Sequence, residues 1–347
     1  MQRSDCILVT GGEGFLGARV VKLLLERGYP VRVFARVKRH THKAKEGQLS
    51  YYLGDIRSRE DCAKACQGIR AVIHTASIIL RGLREEMDEV NVKGTQIMLE
   101  EAERAGVSAF IHTSSITVIH DGSPMSGTTE KEETTYPQVP YDDYSGSKAR
   151  AEELVLGWRA KKQPEGRMAI CALRPGLLYG PGDRSYMPIL IDTFHRCQTR
   201  FYWGNHSAKL DFTFVDNAAH AHILAVEALT PGSAIDGKAV HVTDGEPESF
   251  FLFNRELFAA AGHPNHFALR LPLWVILTVA HITTFLYTGL LGRQSPLVPK
   301  ELIYPLCDLY VQMDLALSVM KYAPIVPREE RIARTAHWLR NQLDRSG

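Results

Sequence analysis

The sequence predicts an α/β protein built on a doubly wound parallel sheet, and three features carry that expectation. Short apolar runs recur along the first half of the chain, each followed by a stretch with helical apolar spacing. No hairpin signal separates them, so successive strands must be joined by crossovers and run parallel. The first run, Cys6-Ile7-Leu8-Val9, leads directly into Thr10-Gly11-Gly12-Glu13-Gly14-Phe15-Leu16-Gly17, a glycine turn that opens a helix.

That turn organises the rest of the chain. Gly11 and Gly12 supply the tight bend, Gly14 lets backbone approach a pyrophosphate, and Gly17 lets helix and strand pack closely. The phosphates rest on the N–H groups at the helix N-terminus, where Phe15, Leu16 and Gly17 stand and the dipole is positive. The helix runs on through Ala18 to Glu26 and stops at Gly28. Strand, turn and helix together open a dinucleotide-binding βαβ unit, which makes the sheet Rossmann-type.

Tyr29 to Arg36 reads as the second strand. A carboxylate at its end would bind the adenosine ribose and repel a 2′-phosphate. The chain instead has Ala35, Arg36, Lys38 and Arg39 there, so NADP is the expected cofactor and NAD the second choice. Leu49 to Ile56 is the third strand, with Asp55 placed to accept from the adenine amino group and Ile56 beside it. A helix from about Arg59 to Cys66 leads to the fourth strand, Ala71 to Ser77. Its small residues Thr75 and Ala76 let backbone pass close to a cofactor. Glu85 to Ala105 is helical and carries Asn91-Val92-Lys93-Gly94-Thr95, and Ala109 to Ser115 is the fifth strand.

Tyr144 and Lys148 lie at i and i+4 and share one face of a helix. A phenol near its free pKa of about 10 is a poor base at neutral pH. An ammonium one turn away favours the phenolate, which makes the pair a general base for an alcohol. Ser115, at the end of a neighbouring strand, is placed to hold the substrate oxygen.

Composition narrows the partners. With 347 residues, 45% apolar content and a net charge of +2, the chain is an ordinary globular protein with no electrostatic footprint for nucleic acid. Six cysteines without a Cys-x-x-Cys pair, and no recognisable signal peptide, fit a reducing compartment. His40/His42 and His220/His222 lack the spacing or the partners for ligation, so no metal is expected.

The chain resembles the extended short-chain dehydrogenases and, within them, the 3β-hydroxysteroid dehydrogenase group that includes sterol-4α-carboxylate 3-dehydrogenases. The likeness rests on Thr10 to Gly17, Gly54-Asp55-Ile56, His74-Thr75-Ala76, Asn91 to Thr95, Thr113-Ser114-Ser115 and Tyr144 to Lys148. It continues through Ala172-Leu173-Arg174-Pro175, Tyr179 to Asp183, Asp211 to Asn217 and Ala219 to His222. The resemblance implies catalytic Ser115, Tyr144 and Lys148, with Tyr144 taking the hydroxyl proton and Lys148 also holding the nicotinamide ribose. It implies that Asn91 supports a water or backbone link to the site, and that Pro175 passes beside the nicotinamide carboxamide. The substrate it implies is a sterol or related polycyclic terpenoid oxidised at a 3β-hydroxyl, with decarboxylation following where C4 carries a carboxylate. A ketosteroid isomerase activity, a nucleotide-sugar epimerase or dehydratase, and a non-catalytic nucleotide-binding scaffold are the alternatives. Many steroid members carry an acid where this chain has Ala35, and that departure bears on the choice between NAD and NADP.

Residues 1–176 are expected to form the cofactor domain and residues 177–347 a smaller substrate lobe interleaved with it. At the lobe's entrance, Asp183 and Arg184 either meet substrate or cap a helix, while Asn217 is expected to cap the helix that begins at Ala218. Leu271 to Gly292 has no charged residue and is flanked by Arg270 and Arg293. It reads as a spanning helix, an interfacial helix or a buried roof over the pocket, and a shallowly inserted surface segment is the reading chosen. Membrane association through 271–292, an intracellular, cytoplasm-facing place on the endoplasmic reticulum or another membrane, and compatibility with a homodimer complete the expectations.

Overall fold

The computed structural model describes residues 5–40, 42–79, 83–130, 136–160, 168–264, 266–290, 292–293, 295 and 297–345. In chain order it begins with β1 (Ile7–Thr10), α1 (Phe15–Glu26), β2 (Val31–Ala35), β3 (Leu49–Leu53), α2 (Arg59–Cys66) and β4 (Ala71–His74). The segment expected as one helix from Glu85 to Ala105 is interrupted. A short α3 (Arg84–Met87) passes through a π-helical stretch at Asp88–Gly94 into α4 (Thr95–Arg104). That widened turn carries Asn91, and such bulges are frequent where a side chain is being aimed.

β5 (Ala109–Thr113), β6 (Met125–Thr128), α5 (Asp143–Ala160), β7 (Ala169–Pro175), β8 (Leu177–Tyr179), α6 (Tyr186–His195), β9 (Phe201–Trp203), β10 (Phe212–Phe214), α7 (Val215–Ala228) and β11 (Lys238–Val242) come next. Seven strands form one wholly parallel sheet in the order β11-β7-β5-β4-β1-β2-β3. The period of two along the strands sorts its two faces. Ile7, Val9, Val33 and Ile73 pack under α1 and α7, whereas Leu8, Phe34, Val72, Phe110 and Ile170 pack against α2, α4 and α5. Cys62 and Cys66 belong to the second layer, and burial pushes both thiols up to about 12, as inert packing groups.

Strand β11 and helix α7 come from beyond residue 176, so the second half of the chain contributes to the sheet as well as to its own lobe. That lobe is aromatic. Phe212 stacks on Phe253 at 3.9 Å, and Tyr179 meets Phe253 edge-on at 5.0 Å. The remaining elements are α8 (Phe250–Ala260), β12 (Leu269–Leu271), α9 (Leu273–Thr284), α10 (Pro299–Ile303), β13 (Leu309–Val311), α11 (Asp314–Ser318) and α12 (Arg328–Arg345).

The structure corrects one expectation and removes one of the three readings of the apolar stretch. Asn217 does not cap the helix after it, because α7 already begins at Val215. Its amide instead donates to Asp244 Oδ1 at 2.7 Å and its carbonyl accepts from the amides of Ile325 and Val326, each at 3.0 Å. The apolar stretch is not a buried roof. Along Leu273–Leu290, with mean hydropathy 1.6, Trp274, Phe285 and Leu290 are 72%, 67% and 66% exposed, and only Ala280 is buried. Leu291 of the expected 271–292 segment lies outside the described residues.

Candidate active site

The sheet changes direction of winding between β1 and β4, and ligands of open α/β sheets bind in the crevice such a switch creates. A cleft of ≈ 640 Å³ opens there at the carboxyl ends of the strands. Gly11, Gly14, Ala35, Arg36, Asp55, Ile56, Thr75 and Ala76 all line it. Phe15 lines an adjoining side cavity of ≈ 270 Å³, together with His40 and His42. Leu16 and Gly17 are buried beneath the turn.

The glycines are required by contact. Gly11 has φ +66°, and a Cβ there would sit 2.9 Å from Ala76 Cα. A Cβ at Gly17 would overlap the Gly11 carbonyl and come within 2.8 Å of Thr75 Oγ1. Gly17 therefore lets the helix approach the turn itself and the end of β4. Gly14, the N-cap of α1, has no side chain to cap with, so the first-turn amides face an incoming anion.

Glu13 was absent from the sequence-based candidates. Its buried Oε2 accepts from the amides of Arg39 and His40 at 2.6 Å each, so the glycine turn itself holds the basic loop after β2. Arg36 lines the cleft at the end of β2. Asp55 is bound bidentately by Arg57, with Oδ2 to Nη2 at 2.6 Å, and that hydrogen bond holds its carboxyl below the usual range.

Behind the cleft runs a buried hydrogen-bonded chain with one consistent set of donors. Thr95 Oγ1 donates to the Asn91 carbonyl at 2.6 Å and so accepts from His74 Nε2 at 3.0 Å. His74 Nδ1 then accepts from Thr10 Oγ1 at 2.8 Å, and Thr10 Oγ1 accepts from the Ala76 amide at 3.2 Å. Burial lowers His74 to about 3, which keeps the ring neutral in this role. Asn91 Oδ1 accepts from the Ile78 amide, and its Nδ2 donates to the Ile78 carbonyl and to Ser147 Oγ. Ser147 donates in turn to the Tyr144 carbonyl at 2.8 Å. Asn91 thus ties the cleft wall to α5, with both its amide hydrogens engaged.

Lys148 is buried and its Nζ donates to the Thr113 carbonyl at the end of β5, two residues before Ser115. The peptide bearing that carbonyl is fixed by Ser114 N–H donating to the Leu173 carbonyl at 2.7 Å. Ser115 Oγ pairs with Thr117 Oγ1 at 2.9 Å and accepts from the Thr117 amide at 3.2 Å. Pro175 ends β7 on the far side of the sheet's centre and is buried.

One electrostatic expectation is reversed. Lys148 is lowered to about 8 by burial, and its ammonium is held on Thr113, not on the phenol. Burial, with Asp142 second, pushes the Tyr144 phenol above its ordinary value. Helical spacing puts the two side chains on one face. It cannot reveal that a strand-end carbonyl takes the lysine.

His222 is satisfied inside the fold, with Nδ1 to the Ala218 carbonyl at 2.7 Å and Nε2 to Thr113 Oγ1 at 2.8 Å. Among the described residues no group of three or more His, Cys, Asp or Glu side chains is placed to hold a metal.

A family model described as the 3-beta hydroxysteroid dehydrogenase/isomerase family matches residues 8–273. The chain belongs to that family. Among its relatives is the decarboxylating sterol-4-alpha-carboxylate 3-dehydrogenase of Homo sapiens, 33% identical over 346 residues, covering 98% of this chain and 89% of the relative. The corresponding enzyme of Schizosaccharomyces pombe is 31% identical over 335 residues, covering 94% and 96%. In fold, this member of the 3-beta hydroxysteroid dehydrogenase/isomerase family resembles UDP-glucuronic acid 4-epimerase from Bacillus cereus, solved in complex with NAD. That likeness has a TM-score of 0.72 at 20% identity, covering 97% of this chain and 99% of the other. The family match begins inside β1 and ends at Leu273, where the exposed apolar helix starts.

Proposed function

We propose that this chain is a nicotinamide-dependent dehydrogenase that oxidises the 3β-hydroxyl of a sterol carrying a carboxylate at C4, with loss of that carboxylate as carbon dioxide. The observation that carries the reading is relatedness over nearly the whole chain to decarboxylating sterol-4-alpha-carboxylate 3-dehydrogenases, in a chain that carries Ser115, Tyr144 and Lys148. The cleft, its glycine turn and the open first-turn amides fit a dinucleotide. The nicotinamide supplies the hydride acceptor for the carbinol carbon.

Ser115 Oγ, already oriented by Thr117, donates a hydrogen bond to the substrate oxygen. Tyr144, as phenolate, takes the hydroxyl proton, and Lys148, its ammonium anchored on the Thr113 carbonyl, holds the nicotinamide ribose. Pro175 borders the carboxamide. The ketone formed beside a C4 carboxylate is a β-keto acid, which loses carbon dioxide to leave an enol without a further dedicated group. Residues 1–176 then act as the cofactor half and the aromatic lobe from 177 onward as the substrate half.

Exposed Arg36 on the cleft wall, with Arg39 beside it, supports NADP over NAD. The assay that tests both readings offers a 3β-hydroxysterol, with and without a 4α-carboxylate, against NAD and NADP. Reduced cofactor together with carbon dioxide from the carboxylated sterol alone is the expected result; no reduced cofactor with either sterol refutes it. Arg36→Ala should weaken NADP by roughly tenfold to a hundredfold, the loss of a charge-assisted hydrogen bond, with NAD nearly unchanged. Equal losses for the two cofactors would remove Arg36 from the 2′-phosphate.

The exposed face of Trp274, Ile282, Phe285 and Leu290 supports a membrane-surface role for α9, of the kind a protein drawing an apolar substrate from a bilayer needs. Flotation with phosphatidylcholine vesicles should carry the wild type upward and leave the Trp274→Asp/Phe285→Asp variant behind. Co-flotation of both would sink the assignment.

A further inference from the structure

The loop between β8 and α6 places a cation, Arg184, beside the cofactor cleft. Gly14 and Arg184 are the two residues common to the linings of the cofactor cleft and the side cavity beside it. Gly14 belongs to the turn on which a pyrophosphate would rest, so Arg184 borders the same space as that turn. Among the described residues no hydrogen-bond or ion-pair partner holds its guanidinium. Arg57, by contrast, is bound to Asp55, and Arg19 to the Pro181 carbonyl and to Asp216.

The loop is held on both sides of Arg184. Arg19 Nη2 donates to the Pro181 carbonyl at 3.1 Å, which tethers it to α1. Asp183, buried, accepts from the amides of Ser185 at 2.8 Å and Met187 at 2.9 Å, which caps α6. Asp183 is therefore structural, and the neighbouring arginine is exposed and delivered to the cleft. The electrostatics favour such a cation. A bound dinucleotide adds about two negative charges at the turn, and the turn already contains the buried carboxylate of Glu13. Backbone amides supply dipoles; Arg184 supplies a whole charge and a planar fork suited to phosphate oxygens.

We propose that Arg184 closes over the cofactor's pyrophosphate from the side opposite the glycine turn. The clamp rests on the reading of this chain as a nicotinamide-dependent dehydrogenase. Because Tyr186 and Met187, just beyond the loop, are buried in the aromatic lobe, the contact ties the bound cofactor to the substrate half.

The test measures binding of NADH, ADP-ribose and adenosine by calorimetry to the wild type, Arg184→Met and Arg184→Lys. Arg184→Met should weaken both pyrophosphate ligands by roughly tenfold to a hundredfold and leave adenosine within about twofold, with the lysine variant in between. ADP-ribose affinity unchanged in Arg184→Met overturns the clamp alone. Equal weakening of adenosine also overturns it, since adenosine carries no phosphate. Wild-type protein that binds neither NADH nor ADP-ribose overturns the cofactor reading itself, and the clamp with it.

Discussion

Tyr144→Phe is expected to lower oxidation of a 3β-hydroxysterol by roughly 10²–10⁴-fold, the usual contribution of a positioned general base, while NADH affinity stays nearly unchanged. The substitution removes one oxygen from α5 and leaves intact the Tyr144 carbonyl that Ser147 uses. The pH dependence gives a second reading of the same group. The base must be ionised, and burial raises the Tyr144 phenol, so the wild-type rate should climb with pH. Lys148 must stay charged and its value is about 8, so the climb should bend over on the alkaline side. Tyr144→Phe should lose the ascending limb. Wild-type turnover in this variant, measured as reduced nicotinamide per second, would refute the role given to the phenol.

The cofactor half of this site is readable because phosphates impose backbone geometry, and backbone geometry restricts residue type. Gly11 and Gly17 are visible in sequence since a Cβ at either meets atoms of the turn or of β4. Arg36 and Asp55 can be found because a strand's end fixes where its next side chains stand. Groups acting through long-range contacts escape such reading. The Thr10–His74–Thr95 chain joins residues separated by 64 and 21 positions, and no periodicity links them. Glu13 is hidden inside a motif read for its glycines, although an acid in an anion-binding turn is itself a signal that something nearby must occupy it. Arg184 stands between two roles in the sequence, because capping by Asp183 becomes visible only once α6 is seen to start at Tyr186. The lysine–tyrosine pair shows the limit most clearly. Spacing of four places both on one face of α5, but the partner that Lys148 holds comes from β5, 35 residues away.

The largest stability effect is expected one turn further along the same helix face. Tyr144, Lys148 and Glu152 stand at i, i+4 and i+8, and Glu152 is fully buried against an equally buried Arg174. Arg174 Nε donates to both carboxylate oxygens, at 3.1 and 2.9 Å, its Nη2 donates to Oε1, and Tyr136 donates to Oε1 at 2.8 Å. Removing one member of such a pair leaves an uncompensated buried charge, so Glu152→Gln should cost about 3–5 kcal/mol by urea denaturation. Replacing both, as Glu152→Met/Arg174→Met, should cost much less, since neither charge is then buried alone. Additive losses in the double variant would show that the pair is not coupled. Glu152 also raises Lys148, whose burial works the other way. In the folded fraction of Glu152→Gln, the alkaline bend in the oxidation rate should therefore move to lower pH. Arg174 immediately precedes Pro175 at the end of β7, so the buried pair fixes both the helix that carries the proposed base and the strand end proposed to border the nicotinamide.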